Sequence, residues 1–436
     1  MLLNKNILYR RIFFICFWIW AVFGFVQDEI LSVLGGFRAI VFLAVDLTIL
    51  YLGLRMLKSR AIIVFVFAFV ALAFLTTVIV QGLTMINLIN GCRDFLPFLM
   101  VPIFLYFIGN EKSKYEFVES FDKQLYVFLL IQIPCVLYQF LMYGAGDRVG
   151  GSLGNGYSGT LSLIIYICSF YLLQKKWSYN NYLGELWSNK IFFVFIILTF
   201  LNETKISFIL VICFFLCLIR IDRKFIFRLL LGLPLVLVLS YFALNIYMSV
   251  TNNATNQVLE ISYYTDEYLD TNDSEQLLLI AEMLQDGSFE DDNWSVDLPR
   301  FTKIAFYPAL MVESNNSQLI GAGLSHFKGM SVLEQTEFAR NNSTMLTGTI
   351  PYLYFILVQL GWIGFIGFVL YIMYILKMFK RIESRALNIQ LFLLIVTILV
   401  LFYNDAFRLG IFGMIYMYLA VMSVNKIEEK VFVDTE

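Results

Sequence analysis

Apolar runs recur along the whole chain, and they limit its fold more than any other feature. The run "IFFICFWIWAVFGFV" (12–26) is the first of them, and each approaches the ~20 residues that a helix needs to cross a bilayer. Hydrophobic residues make up 60% of the 436 residues and charged residues only 15%, too few charges to cover a soluble domain of this size. The sequence therefore predicts an all-α polytopic membrane protein.

The apolar runs predict about twelve spans, nine before and three after a long hydrophilic segment. We expect a bundle of nine spans in 1–250, one large extracytoplasmic loop with short helices in 251–349, and three spans and a tail in 350–436. The seventh and eighth spans, separated only by "LNETK" (201–205), are alternatively one long, broken helix. The predicted spans are 12–26, 37–57, 61–80, 95–109, 124–143, 157–174, 190–202, 205–220, 228–249, 350–376, 387–402 and 409–424.

Basic residues in every second loop predict the orientation, because Lys and Arg near span ends are retained on the cytoplasmic side. Both termini are then cytoplasmic. The loop 251–349 holds 15 acidic and 4 basic residues, which agrees with an extracytoplasmic position. We expect a multi-pass protein of the bacterial cytoplasmic (inner) membrane.

Within the large loop, two segments have helical patterns and a third has a turn pattern. An apolar face in 274–287 predicts one helix. A second helix is expected over 297–315, with Asp297 as its cap and Pro299 in its first turn. "IGAGLSHF" (320–327) predicts a glycine-bearing turn.

Six cations lie at the predicted outer ends of spans or in outer loops, against the retention rule. Arginine forks and lysine point charges suit phosphate oxygens, so we expect these side chains to converge on a large anion. Alternatively, some of them reach lipid headgroups or pair with Asp94, Glu203 or Asp405. The six cations are Arg93, Arg148, Lys205, Arg300, Arg340 and Arg408.

The stretch "GDRVGGSLGNGYSGT" (146–160) contains the nucleotide fingerprint G-x-G-x-x-G at Gly154, Gly156 and Gly159. A nucleotide site is excluded because the stretch follows a membrane span and faces outward. Glycine N–H groups and the start of the next helix nevertheless suit a pyrophosphate. The alternative is that the glycines only let the loop turn or fold back into the bundle.

Three further ionisable residues are candidates for a role in the interior or in catalysis. His326, the single histidine, is a candidate general base, or else a surface residue. Glu203 is a second candidate base, or else neutralises Lys205. Asp46, within an apolar run, is expected to face the interior and to bond to a neighbouring helix.

Several of these motifs are arranged as in one known group of membrane proteins. "CRDFLPFLMVPIF" (92–104) begins a span with an arginine, and "RVGGSLGNGYSG" (148–159) fits an R-x10-G pattern. "NETKISFILV" (202–211) places Lys205 where a Ser-Arg pair is common. Arg300, Gly321, Gly323 and Phe327 form an Arg…Gly-x-Gly…Phe segment, and Gly361 and Gly364 lie in a returning span. In these features the chain resembles the O-antigen polymerase and O-antigen ligase group of Wzy-type and WaaL-type proteins.

The resemblance implies glycosyl transfer on the outer face of the membrane from a polyprenyl-pyrophosphate-linked oligosaccharide. A Wzy-type polymerase is favoured, because ligases carry a histidine where this chain has Arg340 and Asn341. A ligase and a flippase or transporter of lipid-linked oligosaccharide are the alternatives. Membrane lipid and a chain-length regulator are the expected partners, with no nucleic acid, metal or cofactor.

The implied roles fall on the residues above. Arg148, Lys205 and Arg300, with Arg93 and Arg408, would bind the pyrophosphate. His326, Glu203 and Arg340 are the catalytic candidates.

Overall fold

The computed structural model describes residues 2–30, 37–109, 111–177, 182–202, 205–218, 300–327, 336–346, 348–376 and 384–424. Over these residues the regular structure is helical, and one isolated β-bridge joins Ser317 and Gly321. The predicted all-α class is therefore confirmed. The predicted span 228–249 and the predicted helix 274–287 lie outside the described residues.

The helices follow one another as sixteen α-helical segments within the described part of the chain. Turns of π-helix extend α1 and α3, over Val26–Ile30 and Leu75–Val80, and a 3-10 segment, Arg93–Leu99, joins α4 to α5. The segments are α1 (Leu2–Phe25), α2 (Phe37–Arg55), α3 (Arg60–Phe74), α4 (Met85–Cys92), α5 (Met100–Gly109), α6 (Glu111–Tyr143), α7 (Ser158–Lys176), α8 (Tyr182–Ser188), α9 (Lys190–Leu198), α10 (Lys205–Leu218), α11 (Arg300–Glu313), α12 (Glu337–Asn341), α13 (Ser343–Leu346), α14 (Tyr352–Ile375), α15 (Ser384–Tyr403) and α16 (Gly410–Met422).

Six stretches among the described residues are long and apolar enough to cross a membrane. They are Asn6–Ile30, Arg60–Val80, Met85–Gly109, Lys114–Tyr143, Tyr352–Ile375 and Ala386–Tyr403, and shorter apolar helices lie at Ile206–Leu218 and Gly410–Met422. The chain thus has the build of a multi-pass membrane protein. Its fourth predicted span begins at Met85 rather than at residue 95, because Thr84 caps the helix and Arg93 lies inside it.

Helices α9 and α10 form an antiparallel hairpin, which decides between the two interpretations of residues 190–220. The rings of Phe193 and Phe215 stack with centroids 6.0 Å apart, and those of Phe200 and Phe208 lie 5.1 Å apart nearer the tip. Phe200 lies later in the chain than Phe193, whereas its partner Phe208 lies earlier than Phe215. The two helices therefore run in opposite directions, and the chain reverses between them. The alternative of one long, broken helix is therefore wrong.

Helix α7 forms the centre of the bundle. Every residue from Thr160 to Gln174 is buried, and α6, α9, α10, α15 and α16 pack around it. A helix that is apolar on all sides needs such an enclosed position. The surrounding helices consequently hold both ends of α7 in place, and the neighbouring connections pack against these ends.

The segment around Gly321 fills a break in α14. At Gly361 the backbone leaves the helical region (φ 63°, ψ −165°), and the N–H groups of Trp362 and Ile363 donate to Gln318 and Leu319 carbonyls at 3.1 and 3.0 Å. In return, Ala322 and Gly323 donate to α14 carbonyls at 2.7 and 3.1 Å. A Cβ on Gly321 would come within 2.7 Å of the α14 backbone. The predicted glycine turns at 320–327 and at Gly361 therefore hydrogen-bond to each other, and we term this pair of segments the interlock.

The connections segregate to two ends of the bundle. At one end, which we term the loop end, the Asn155 N–H donates to Asp28 at 2.7 Å, and Asn90 donates to Ser325 at 3.2 Å. At the opposite end, Arg10 pairs with Glu116 at 3.1 Å. In each contact the two residues belong to connections that the pattern of basic residues predicts to lie on the same side of the membrane.

Candidate functional site

The loop end of α7 is a helix N-terminus whose N-cap residue, Tyr157, makes no side-chain capping bond. The Leu161 N–H makes the first helical bond, to the Tyr157 carbonyl at 2.8 Å. The N–H groups of Ser158, Gly159 and Thr160 precede that bond, so they have no carbonyl within the helix. They give this end of α7 a partial positive charge.

The tip of the α9–α10 hairpin lies against this helix start. Asn202 is fully buried, and its Nδ2 donates to the Ser158 carbonyl at 3.5 Å. Further along, Ser207 bonds to Thr199 across the tip, and the Tyr166 hydroxyl donates to the Ser207 carbonyl at 3.0 Å. The Asn202 Oδ1 atom is buried and has no hydrogen-bond partner within the described ranges.

The connection from α15 to α16 also lies close to the start of α7. Asn404 is 8% exposed, its Oδ1 accepts from the Ala406 N–H at 3.2 Å, and its carbonyl accepts from the Tyr352 N–H at 2.9 Å. Its Nδ2 lies 3.6 Å from the position that a Cβ on Gly159 would occupy. This Nδ2 also lacks a partner in the part of the chain that the structure describes.

Two predicted cations flank Asn404. The Arg300 guanidinium, at the start of α11, lies 4.1 Å from the centroid of the Tyr403 ring, and the neighbouring Phe301 stacks on Phe402. Arg408 follows Asn404 by four residues. We use "the α7 site" for this group of side chains and helix start: Ser158, Gly159, Asn202, Tyr403, Asn404, Arg300 and Arg408.

Arg408 is largely neutralised by carboxylates. Its Nη1 lies 2.7 Å from Asp405 and its Nε lies 3.7 Å from Asp94, while its guanidinium lies 4.6 Å from the centroid of the Phe355 ring. Pairing with Asp94 and Asp405, the alternative considered from the sequence, is therefore what the structure shows.

Arg93 has a structural partner inside the bundle. It binds Asp46 of α2 through Nε at 2.8 Å and Nη2 at 2.6 Å, and both side chains are less than one fifth exposed. The expectation that Asp46 bonds to a neighbouring helix is confirmed. Both contacts go to Asp46 Oδ2 and engage the Arg93 guanidinium, so the structure does not bring Arg93 into the α7 site.

The glycine-rich loop does not present a row of open N–H groups. All six N–H groups from Gly151 to Gly156 donate within the protein, so the prediction that they face a ligand is wrong for this part of the loop. Side chains from α1 and α6 take three of them, which folds the loop back into the bundle. The bonds run from Gly151 to Gln139 (2.7 Å), Ser152 to Gln132 (3.0 Å), Leu153 to Gly150 (3.2 Å), Gly154 to Gly151 (3.3 Å), Asn155 to Asp28 (2.7 Å) and Gly156 to Asp147 (3.1 Å).

Arg148 is exposed on the outside of this loop, 5.9 Å from the centroid of the Tyr143 ring. Its neighbour Asp147 accepts from the Ser158 hydroxyl at 2.9 Å. The loop is thus tied to the start of α7. Of the three fingerprint glycines, Gly159 reaches the α7 site, whereas Gly154 and Gly156 (φ 92° and 80°) shape the loop.

His326 is buried, so its interpretation as a surface residue is wrong. Its Nε2 lies 2.7 Å from the Ala322 carbonyl and therefore carries the proton, while Nδ1, 2.7 Å from the Thr336 hydroxyl, accepts. Burial lowers the pKa of His326 to about 4, which keeps the ring neutral at pH 7. Its role as a base stays a prediction, and its contacts pin the 322–327 turn to the start of α12.

The remaining predicted residues are placed as follows. Arg340 is exposed on α12, the helix that Thr336 caps. Lys205 begins α10, three residues after Asn202, and Glu203 lies outside the described residues. Gly321 and Gly323 belong to the interlock with α14 and not to the α7 site.

The pattern of charged residues in the sequence does not indicate three members of the site, Asn202, Tyr403 and Asn404. The available signal was the position of two asparagines immediately after apolar runs, in "FLN" (200–202) and "FYN" (402–404). An amide at the end of a membrane span is a weak signal until its neighbours are known.

Comparison with known proteins leaves the α7 site without an assigned counterpart. The chain matches no protein-family model and no curated protein. The likeness to the O-antigen polymerase and ligase group accordingly rests on the motifs described above.

Proposed function

We propose that this protein is a polysaccharide polymerase of the bacterial cytoplasmic membrane. It transfers a growing glycan from polyprenyl pyrophosphate to a lipid-linked repeat unit on the outer face, which is the loop end of the bundle. The observation that carries the proposal is the α7 site. There, the N-terminus of α7, whose N-cap residue makes no side-chain capping bond, lies close to two buried amides, and Arg300 lies over the Tyr403 ring beside one of them.

This arrangement suits a pyrophosphate leaving group. Helix N-terminal N–H groups and a guanidinium are the usual ligands of phosphate oxygens in proteins. Fixed donors of this kind stabilise the charge that develops as a leaving group departs. Pyrophosphate is already an activated leaving group, so the proposal requires no metal ion.

In the proposed reaction a hydroxyl oxygen of the acceptor sugar attacks the anomeric carbon of the donor. The bond from that carbon to the phosphate oxygen breaks, and polyprenyl pyrophosphate leaves with the electron pair. A base takes the hydroxyl proton. Of the two predicted bases, Glu203 directly follows Asn202 of the α7 site in the chain, while both ring nitrogens of His326 have protein partners.

The first test replaces Arg300 in cells that lack the chromosomal gene. Arg300→Ala is expected to abolish long glycan chains and leave single repeat units on the surface lipid, because the pyrophosphate loses one of its proposed cationic ligands. Arg11→Ala, an exposed arginine on α1 at the opposite end, is the matched control and should keep the full ladder of chain lengths on a gel.

The outcome of the gene deletion separates the proposal from its alternatives. A polymerase defect leaves single units on the surface. A ligase defect leaves polymer on polyprenyl pyrophosphate and no surface glycan. A flippase defect leaves unpolymerised units facing the cytoplasm. A normal ladder with Arg300→Ala, at wild-type protein levels, would contradict the proposed role of the α7 site.

A further inference from the structure

We propose that Asn202 and Asn404 bind the sugar residue that is attached directly to the pyrophosphate. This inference rests on the proposed function and adds the contacts that recognise the saccharide. Asn202 Oδ1 accepts from a sugar hydroxyl or acetamido N–H. Asn404 Nδ2 donates to an oxygen at the junction between sugar and phosphate.

The hydrogen bonds of each asparagine determine which of its amide atoms remains for a ligand. In Asn202 the Nδ2 atom faces the Ser158 carbonyl, an acceptor, so Oδ1 is the remaining atom. In Asn404 the Oδ1 atom faces the Ala406 N–H, a donor, so Nδ2 is the remaining atom. If the oxygen and nitrogen of the Asn202 amide were exchanged, its oxygen would face the Ser158 carbonyl oxygen, another acceptor. The same exchange in Asn404 would place its Nδ2 against the Ala406 N–H, another donor. The site therefore offers one acceptor and one donor.

Burial makes both remaining atoms costly without a ligand. Asn202 is 0% exposed and Asn404 is 8% exposed, and neither remaining atom has a partner among the described residues. Buried polar atoms of this kind are normally satisfied by protein or ordered water. Both amides lie against the first residues of α7, Asn202 at Ser158 and Asn404 at Gly159, so we infer that a ligand satisfies them there.

The mixed polarity selects a sugar over phosphate alone. Phosphate oxygens only accept, so they suit the α7 N-terminus, Arg300 and Asn404 Nδ2 but oppose Asn202 Oδ1. A hydroxyl both donates and accepts, and so it matches both asparagines. A saccharide linked to pyrophosphate supplies the two chemistries side by side.

The inference is tested with two soluble probes on the purified full-length protein in detergent. One probe is farnesyl pyrophosphate, and the other is farnesyl pyrophosphate that carries N-acetylglucosamine. The wild-type protein is expected to bind the sugar-bearing probe about tenfold more tightly, the effect of one or two satisfied buried hydrogen bonds. Asn202→Leu should remove this preference, so that the variant binds the sugar-bearing probe no more tightly than it binds farnesyl pyrophosphate.

Asn189→Leu provides the matched control. Asn189 is also a buried asparagine of this hairpin, but its Nδ2 bonds within its own turn, to Glu185, far along the chain from the tip. The control should retain the tenfold preference.

The outcomes distinguish this inference from the proposed function. Failure of both probes to bind would contradict the proposed function. Binding of both probes with equal affinity to the wild type, or a preference that survives in Asn202→Leu, would overturn the sugar contact alone. Either of the latter results would mean that the two amides are satisfied by water.

Discussion

The polar side chains at the two ends of α7 differ in whether their hydrogen bonds are satisfied within the protein. At the Lys175 end, Asp122 of α6 accepts from Lys175 and, at 2.8 Å, from the Tyr418 hydroxyl of α16, while Tyr171 lies beneath the Lys175 ammonium. At the Ser158 end, Asn202 and Asn404 keep an unused acceptor and an unused donor among the described residues. One end is a closed network, and the other is open.

The difference indicates what each end is for. A lysine in the last turn complements the helix dipole, and its carboxylate partner completes the network, so this end joins three helices. At the first turn the N-cap residue is Tyr157, whose side chain makes no capping bond, although a serine, threonine or aspartate cap is a common and stabilising feature of helix starts. We infer that the Lys175 end is structural and that the Ser158 end is reserved for a ligand.

The largest effect is expected from breaking the closed network. Lys175→Met should destabilise the protein by about 3–5 kcal/mol, because Asp122 is then a buried carboxylate without its cation. Lys175 and Asp122 are only 15% and 16% exposed, so solvent screens them little. The measurement is thermal unfolding in detergent. The double variant Asp122→Leu/Lys175→Met should regain most of the stability and should polymerise glycan. Loss of polymerisation in a stable double variant would contradict a purely structural role.

A second effect concerns the pH dependence of the loop end. Because burial lowers the folded-state pKa of His326 to about 4, below its ordinary value of ~6.5, the unfolded chain binds the proton more readily. The stabilisation is complete above pH 6.5 and is lost as the pH falls from 6.5 to 4, by up to roughly 3 kcal/mol.

Thermal unfolding measured across this pH range checks the expectation. The Asp122→Leu/Lys175→Met variant should show the same slope as wild type, and His326→Gln should show a flatter one. If His326→Gln keeps the wild-type slope, another group is responsible for it.

A smaller effect is expected at the interlock that holds α11 against α14. Gly361→Ala adds a Cβ at φ 63°, within 2.4 Å of the Leu319 backbone, and should cost about 2 kcal/mol. Gly367→Ala, six residues further along α14 and without any atom near the added Cβ, should gain up to about 1 kcal/mol. Because the interlock positions Arg300, only Gly361→Ala should also reduce polymer length, as measured on a glycan ladder. Equal stability of the two variants would contradict the interlock.

Much of the fold was predictable because spans are set by local composition. The helices α1, α3, α14 and α15 coincide with apolar runs, and the turn at 320–327 follows from its glycines. The sequence does not distinguish the α9–α10 hairpin from one broken helix, because "LNETK" allows both a bend and a reversal. Packing of Phe193 on Phe215, which decides between them, is a contact between residues far apart in sequence.

The candidate site was predictable only in part. Charge identified Arg300 but also Arg93, because nothing local shows that Asp46, 47 residues earlier, neutralises it. Composition likewise suggested open N–H groups in the glycine loop, yet Gln132 and Gln139 occupy two of them from the preceding helix. Pairing of polar groups is a property of tertiary structure, and the unpaired amides at Asn202 and Asn404 emerge only after that pairing is known.

The span of sequence that the α7 site draws upon has a consequence for biosynthesis. Its members extend from Ser158, at the start of α7, to Arg408, in the connection between α15 and α16. The arrangement of side chains that we propose to bind the ligand therefore requires both of these parts of the chain. It can form only after the α15–α16 connection has been synthesised, so on the proposed function a nascent chain that lacks this connection has an incomplete site.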